Sequence, residues 1–75
     1  MNNTMDMDRI SKMVFHTKSE LQNLGCTLDT QKTIGSQPGY RSGSPMCISK
    51  TVNGNYRLYT RVSGQWMDAS LDDIA

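Results

Sequence analysis

Thr51 to Ala69 reads TVNGNYRLYTRVSGQWMDA. Two glycine-bearing turns, Asn53-Gly54 and Ser63-Gly64, divide it into alternating runs, and it contains the chain's only tryptophan, Trp66. Alternating apolar and polar residues between such turns read as antiparallel hairpins. Together with the residues in front, the pattern predicts a meander of three strands over Met46 to Val52, Asn55 to Val62 and Gln65 to Ser70.

Turn length then sets which side chains share a face, because directly opposed residues of a ladder point the same way. A two-residue loop at Asn53-Gly54 pairs Ile48 with Tyr59 and mixes the faces. A three-residue loop, Val52-Asn53-Gly54 with Gly54 left-handed, pairs Ile48 with Leu58 and Met46 with Thr60. A slip of one residue turns a whole buried face to solvent, so the three-residue loop is favoured. At the second turn, the two-residue loop Ser63-Gly64 pairs Val62 with Gln65 and Thr60 with Met67. A longer loop sets Asp68 beside Leu58, and burying an unpaired carboxylate is costly. This choice puts Ile48, Leu58, Thr60, Met67 and Ala69 on the core side. It puts Arg57, Tyr59, Arg61, Trp66 and Asp68 on the outer face, with Trp66 beside Arg61 and Tyr59 beside Asp68.

Upstream, Ile10, Met13, Val14, Leu21 and Leu24 fall on one face of a 3.6-residue period. They predict one N-terminal helix that packs on the sheet, with Asp6 and Asp8 at its positive end and Gly25 as its stop. A second reading stays open: Thr17-Lys18-Ser19-Glu20 matches a capping box, which starts a helix at Lys18 and leaves MVFH as a strand. Residues 10–16 are therefore helix or strand. Cys26 to Ile34, CTLDTQKTI, is threonine-rich and reads as an edge strand. Residues 35–45, GSQPGYRSGSP, read as a flexible loop, with Tyr40 and Arg41 as further contact candidates. Ser70 to Ala75 reads as an acidic tail with room for one helical turn.

The expected fold is thus a single α+β domain over 1–75: one helix on a three- to four-stranded antiparallel sheet. With 36% hydrophobic and 20% charged residues, the chain belongs with globular proteins rather than disordered ones. Its net charge of +1 argues against strong nucleic-acid binding, although Thr30 through Met67 carries no acid. No secretory leader is legible in MNNTMDMDRI, and no apolar run approaches the ~20 residues of a membrane span. The expectation is a cytoplasmic protein with Cys26 and Cys47 reduced.

Candidate chemistry is sparse. His16 with two cysteines does not make a standard zinc site. GxSxG and P-loop patterns are absent, and the paired carboxylates Asp72 and Asp73 sit in the tail. We expect no catalytic residues, no metal and no cofactor. The candidate partner-binding residues are Arg57, Tyr59, Arg61, Trp66, Asp68, Tyr40 and Arg41, since Trp, Tyr and Arg dominate binding hot spots and also stack on unpaired bases.

Two resemblances bear on this. ELQNLGCTLDTQKTIGS resembles the opening of the small messenger-RNA-cleaving toxins built on the double-stranded-RNA-binding fold, where a catalytic histidine follows Gly-Ser. Gln37 stands there in this chain, so the activity does not carry over. TVNGNYRLYTRVSGQWMDA is similar to the C-terminal hairpins of a type I member of the small phage-encoded anti-CRISPR inhibitors, with the TVNG turn and a tryptophan two residues before an aspartate. That resemblance implies a non-enzymatic inhibitor, encoded by a phage or mobile element, that occupies a protein surface of a bacterial defence complex. Alternatives are a nucleic-acid-binding module or an interferase-like toxin. A homodimer is compatible with the sequence, and a membrane partner is not expected.

Overall fold

The computed structural model describes residues 5–74. The fold is α+β. Its elements run α1 (Met5–Ile10), β1 (Val14–Phe15), α2 (Lys18–Asn23), α3 (Leu28–Gly35), β2 (Met46–Lys50), β3 (Tyr56–Val62) and β4 (Gln65–Asp68). The four strands form one antiparallel sheet in the order β1-β2-β3-β4.

The meander follows its expected register. Ile48 faces Leu58, Met46 faces Thr60 and Lys50 faces Tyr56 across β2 and β3. Across β3 and β4, Val62 faces Gln65, Thr60 faces Met67, Arg61 faces Trp66 and Tyr59 faces Asp68. Thr51 and Asn55 close the first loop through an N–H···O bond of 2.7 Å, and Gly54 turns at φ +87°. Ser63 and Gly64 both take positive φ, 51° and 80°, the two-residue turn whose twist suits a hairpin.

The N-terminal half departs from the one-helix expectation. Thr17 Oγ1 accepts the Glu20 amide at 3.2 Å, and Glu20 Oε1 accepts the His16 amide at 2.8 Å. Thr17 thus caps α2, while Glu20 reaches back one residue beyond the N-cap to the His16 amide, a variant of the capping box that breaks the longer apolar stripe into two short helices and a strand. Val14 and Phe15 then alternate instead of sharing a helical face. Phe15 pairs with Met46 and is fully buried, while Val14 pairs with Cys47 and is 53% exposed. The α2 C-terminus closes as expected at Gly25: Gly25 N–H bonds Gln22 O and Cys26 N–H bonds Leu21 O, the Schellman pair. The side chain of Asp6 lies outside the described residues.

The edge strand expected over Cys26 to Ile34 is also corrected. Those residues hold α3, capped by Thr27, whose Oγ1 accepts the Thr30 amide at 3.2 Å. Asp29 in the first turn and Lys32 in the last suit the helix dipole. Gln31, on the buried side, donates from Nε2 to Cys26 O at 3.0 Å. The fourth strand of the sheet is β1 instead.

The core gathers Ile10, Phe15, Leu21, Ile34, Met46, Ile48 and Leu58, all fully buried between the helices and one sheet face. Of the residues expected on that face, Ile48 and Leu58 are buried and Thr60 and Ala69 are half-buried. Met67 is 49% exposed. It has the expected orientation opposite Thr60 but is only half covered.

The tail forms no helical turn. Residues 69–74 run back along β3 as a strap that ends at Ile74, which is buried and whose N–H bonds Tyr56 O at 2.8 Å. Gln37 holds the strap from the other side: its Oε1 accepts the amides of Leu71 at 2.8 Å and Asp72 at 3.3 Å, and its Nε2 donates to Asp72 O at 3.1 Å. Gly39 N–H bonds Ala69 O at 2.9 Å, and a Cβ on Gly39 would lie 1.8 Å from the Ala69 Cβ, so only glycine permits this approach. The segment 36–45 is thereby pinned at several points, including Gly43 N–H to His16 O at 2.7 Å.

Candidate functional site

The sheet's outer face is built by register. One row crosses the strands as Val14, Cys47, Tyr59 and Asp68, and beside it lie Ser49 with Arg57 and Arg61 with Trp66. Five of the seven candidate contact residues therefore share this face. Tyr40 and Arg41 do not join them. Tyr40 packs against the core cluster, with Lys18 Nζ 5.8 Å from its ring, and Arg41 is exposed with its N–H toward Met46 Sδ.

The face has two electrostatically different ends. At one, Arg57 is fully engaged: its Nε donates to Asp68 at 2.6 Å, Nη1 to Asp73 at 2.8 Å and Nη2 to the Ser70 carbonyl at 2.8 Å. The hydrogen bonds to Asp68 and Asp73 raise its already high pKa further. Burial pushes the Asp68 carboxyl up, but the Ser70 amide and the Arg57 guanidinium outweigh it and hold the carboxyl below its ordinary value. Two carboxylates on one guanidinium leave this end with a formal charge of −1. Arg57 and Asp68 thus fasten the strap to the sheet, and neither is an unoccupied contact group.

At the other end, the Arg61 guanidinium lies 5.3 Å from the Trp66 ring centroid, a cation–π stack. Trp66 is partly buried and walls a shallow cavity of about 200 Å³ with Ser11, Lys12, Met13, Val14 and Cys47. Met13 and Val14 are 38% and 53% exposed there. Burial raises the Cys47 thiol, which keeps it neutral and weakly nucleophilic at physiological pH. Cys47 and the buried Cys26 form no disulfide. Sequence reasoning placed Trp66 and Arg61 here but missed Lys12, Met13 and Val14, because the one-helix reading turned Met13 and Val14 inward. The capping box at Thr17 was the signal that could have found them.

His16, the only histidine, takes part in local structure: its Nδ1 is 3.4 Å from Glu20 Oε1, one turn away. Among the described residues, no three His, Cys, Asp or Glu side chains gather closely enough to hold a metal ion. No helix among them is long and apolar enough to cross a membrane. Comparison with protein-family models, curated proteins and solved structures finds no match for this chain.

Proposed function

We propose that this is a small non-enzymatic binding protein that engages a protein partner through the outer sheet face, with Trp66 and Arg61 at the centre of contact. The observation that carries the reading is the stacked Trp66–Arg61 pair beside an open apolar cavity, at the end of the outer face away from the strap. An aromatic with an arginine stacked on it offers large contact area at low entropic cost, the usual character of a hot spot. The companion cation Arg57 is consumed by the strap, which weakens the alternative of a nucleic-acid interface, since such interfaces need several cations free for phosphates.

The narrower reading is an inhibitor of a bacterial defence complex, of the anti-CRISPR kind, supported by the likeness of residues 51–69 to such hairpins. Its test is phage plating on a host with an active type I CRISPR system. Expression of the wild-type protein should restore plaques and Trp66→Ala should not. Unchanged plating with a well-expressed wild-type protein removes the narrower reading. The broader one is tested by capture of a partner from bacterial lysate, wild type against folded Trp66→Ala and Arg61→Ala. Equal capture by all three would refute it.

A further inference from the structure

We propose that the cavity beside Trp66 takes one apolar side chain of the partner protein, with an aspartate or glutamate of that partner next to it. This rests on the reading of the outer face as a binding surface and names the chemistry of what binds there. The cavity's size comes first. At about 200 Å³ it falls below the ~300–1,000 Å³ typical of small-molecule sites. It is larger than the ~150 Å³ that suffices for a benzene ring in an apolar cavity. One leucine, methionine or phenylalanine side chain fits this range, and a nucleotide does not.

The lining agrees with the size. Met13, Val14 and the Trp66 ring supply apolar walls. Cys47 adds a neutral thiol because burial disfavours its thiolate. Val14 is exposed here by register, since its neighbour Phe15 takes the core position of β1. Val14 and the half-buried Trp66 wall the same cavity, and covering these apolar surfaces with another apolar group is favourable.

Charge sets the flanking residue. Lys12 stands on the cavity wall and Arg61 lies over Trp66, and neither pairs with a carboxylate among the described residues. A guanidinium stacked on a ring keeps its edge N–H groups free for a carboxylate. The Arg57 end of the same face is negative, one guanidinium between two carboxylates. An acidic group is therefore drawn to the Trp66 end and repelled from the Arg57 end, which orients the partner as well as attracting it. A polyanion crossing the whole face meets that negative end, so an acidic polypeptide segment is favoured over nucleic acid.

A displayed library of random dodecapeptides, panned on the immobilised protein, tests this. Wild-type protein should enrich Leu, Met or Phe with Asp or Glu within two positions. The Lys12→Glu/Arg61→Glu variant should enrich Lys or Arg there instead. Replacing the acid by lysine in a selected peptide should weaken wild-type binding by roughly tenfold or more. Circular dichroism confirms that each variant is folded, and Val52→Ser, fully exposed on the distant hairpin loop, should bind as wild type does. Apolar peptides with no acidic preference, captured by wild type and lost in folded Trp66→Phe, would overturn the charge inference and leave the binding face standing. Peptides captured equally by Trp66→Phe, or no enrichment at all, would overturn both.

Discussion

Gln37 gives the sharpest stability prediction. It occupies the position where the toxin resemblance would place a catalytic histidine, yet it is 6% exposed and spends its whole amide on the strap. Gln37→Leu preserves the size of the side chain and removes three hydrogen bonds. At a net ~0.5–1.5 kcal/mol each, the ceiling is about 4.5 kcal/mol. The backbones of Leu71 and Asp72 belong to exposed residues, so water recovers part of this and the expected loss is about 2 kcal/mol. In a domain of this size that lowers Tm by roughly 8–16 °C. Thermal circular dichroism reads the loss, and amide exchange locates it: Leu71 and Asp72 should exchange faster, as should Leu58, whose N–H bonds the strap's Ser70 Oγ, while Cys47 and Tyr59, paired between β2 and β3, stay slow. A Tm within about 2 °C of wild type would refute the idea that Gln37 clamps the strap.

Other substitutions probe the rest of the account. Thr17→Ala removes the cap of α2 and should cost about 1 kcal/mol by denaturant melt, with Thr17→Ser close to wild type. Gly39→Ala drives a Cβ into Ala69 and should cost ~1–3 kcal/mol, with part of the loss recovered in the Gly39→Ala/Ala69→Gly pair. Ser63→Asn should raise stability by up to about 1 kcal/mol, because asparagine tolerates the positive φ better than serine. Asp68 has a folded pKa below its unfolded value, so its contribution is complete above the unfolded value and fades as pH falls through the folded one. Stability should therefore drop below about pH 4, and Asp68→Asn should be less stable at neutral pH but show a shallower acid limb.

The sheet was legible in the sequence because its information is local and discrete. Parity along β2 and β3 allows one register that buries Ile48 with Leu58, and the turns at Gly54 and Ser63-Gly64 enforce it. The two-residue turn at Ser63-Gly64 carries that register into β4 and puts Trp66 outward beside Arg61. The helical half was harder because two signals competed over the same residues. Ile10, Met13, Val14, Leu21 and Leu24 make a convincing stripe, but the Thr17–Glu20 capping box commits a new helix locally and wins. Threonine content misled at Thr27 to Thr33. Thr27 caps α3, and Thr33 Oγ1 bonds back to Asp29 O at 3.1 Å, roles that β-propensity does not register. The tie between Arg57, Asp68 and Asp73 was illegible because it depends on a tail that folds back along β3.

Partner capture by Trp66→Ala, after its fold has been verified, decides whether Trp66 serves the outer face rather than the core. Trp66→Ala should keep a native circular-dichroism spectrum, lose far less stability than the ~3–5 kcal/mol of a truncated core aromatic, and lose capture. An unfolded Trp66→Ala protein, or a folded one that captures the partner as wild type does, would contradict the outer-face role.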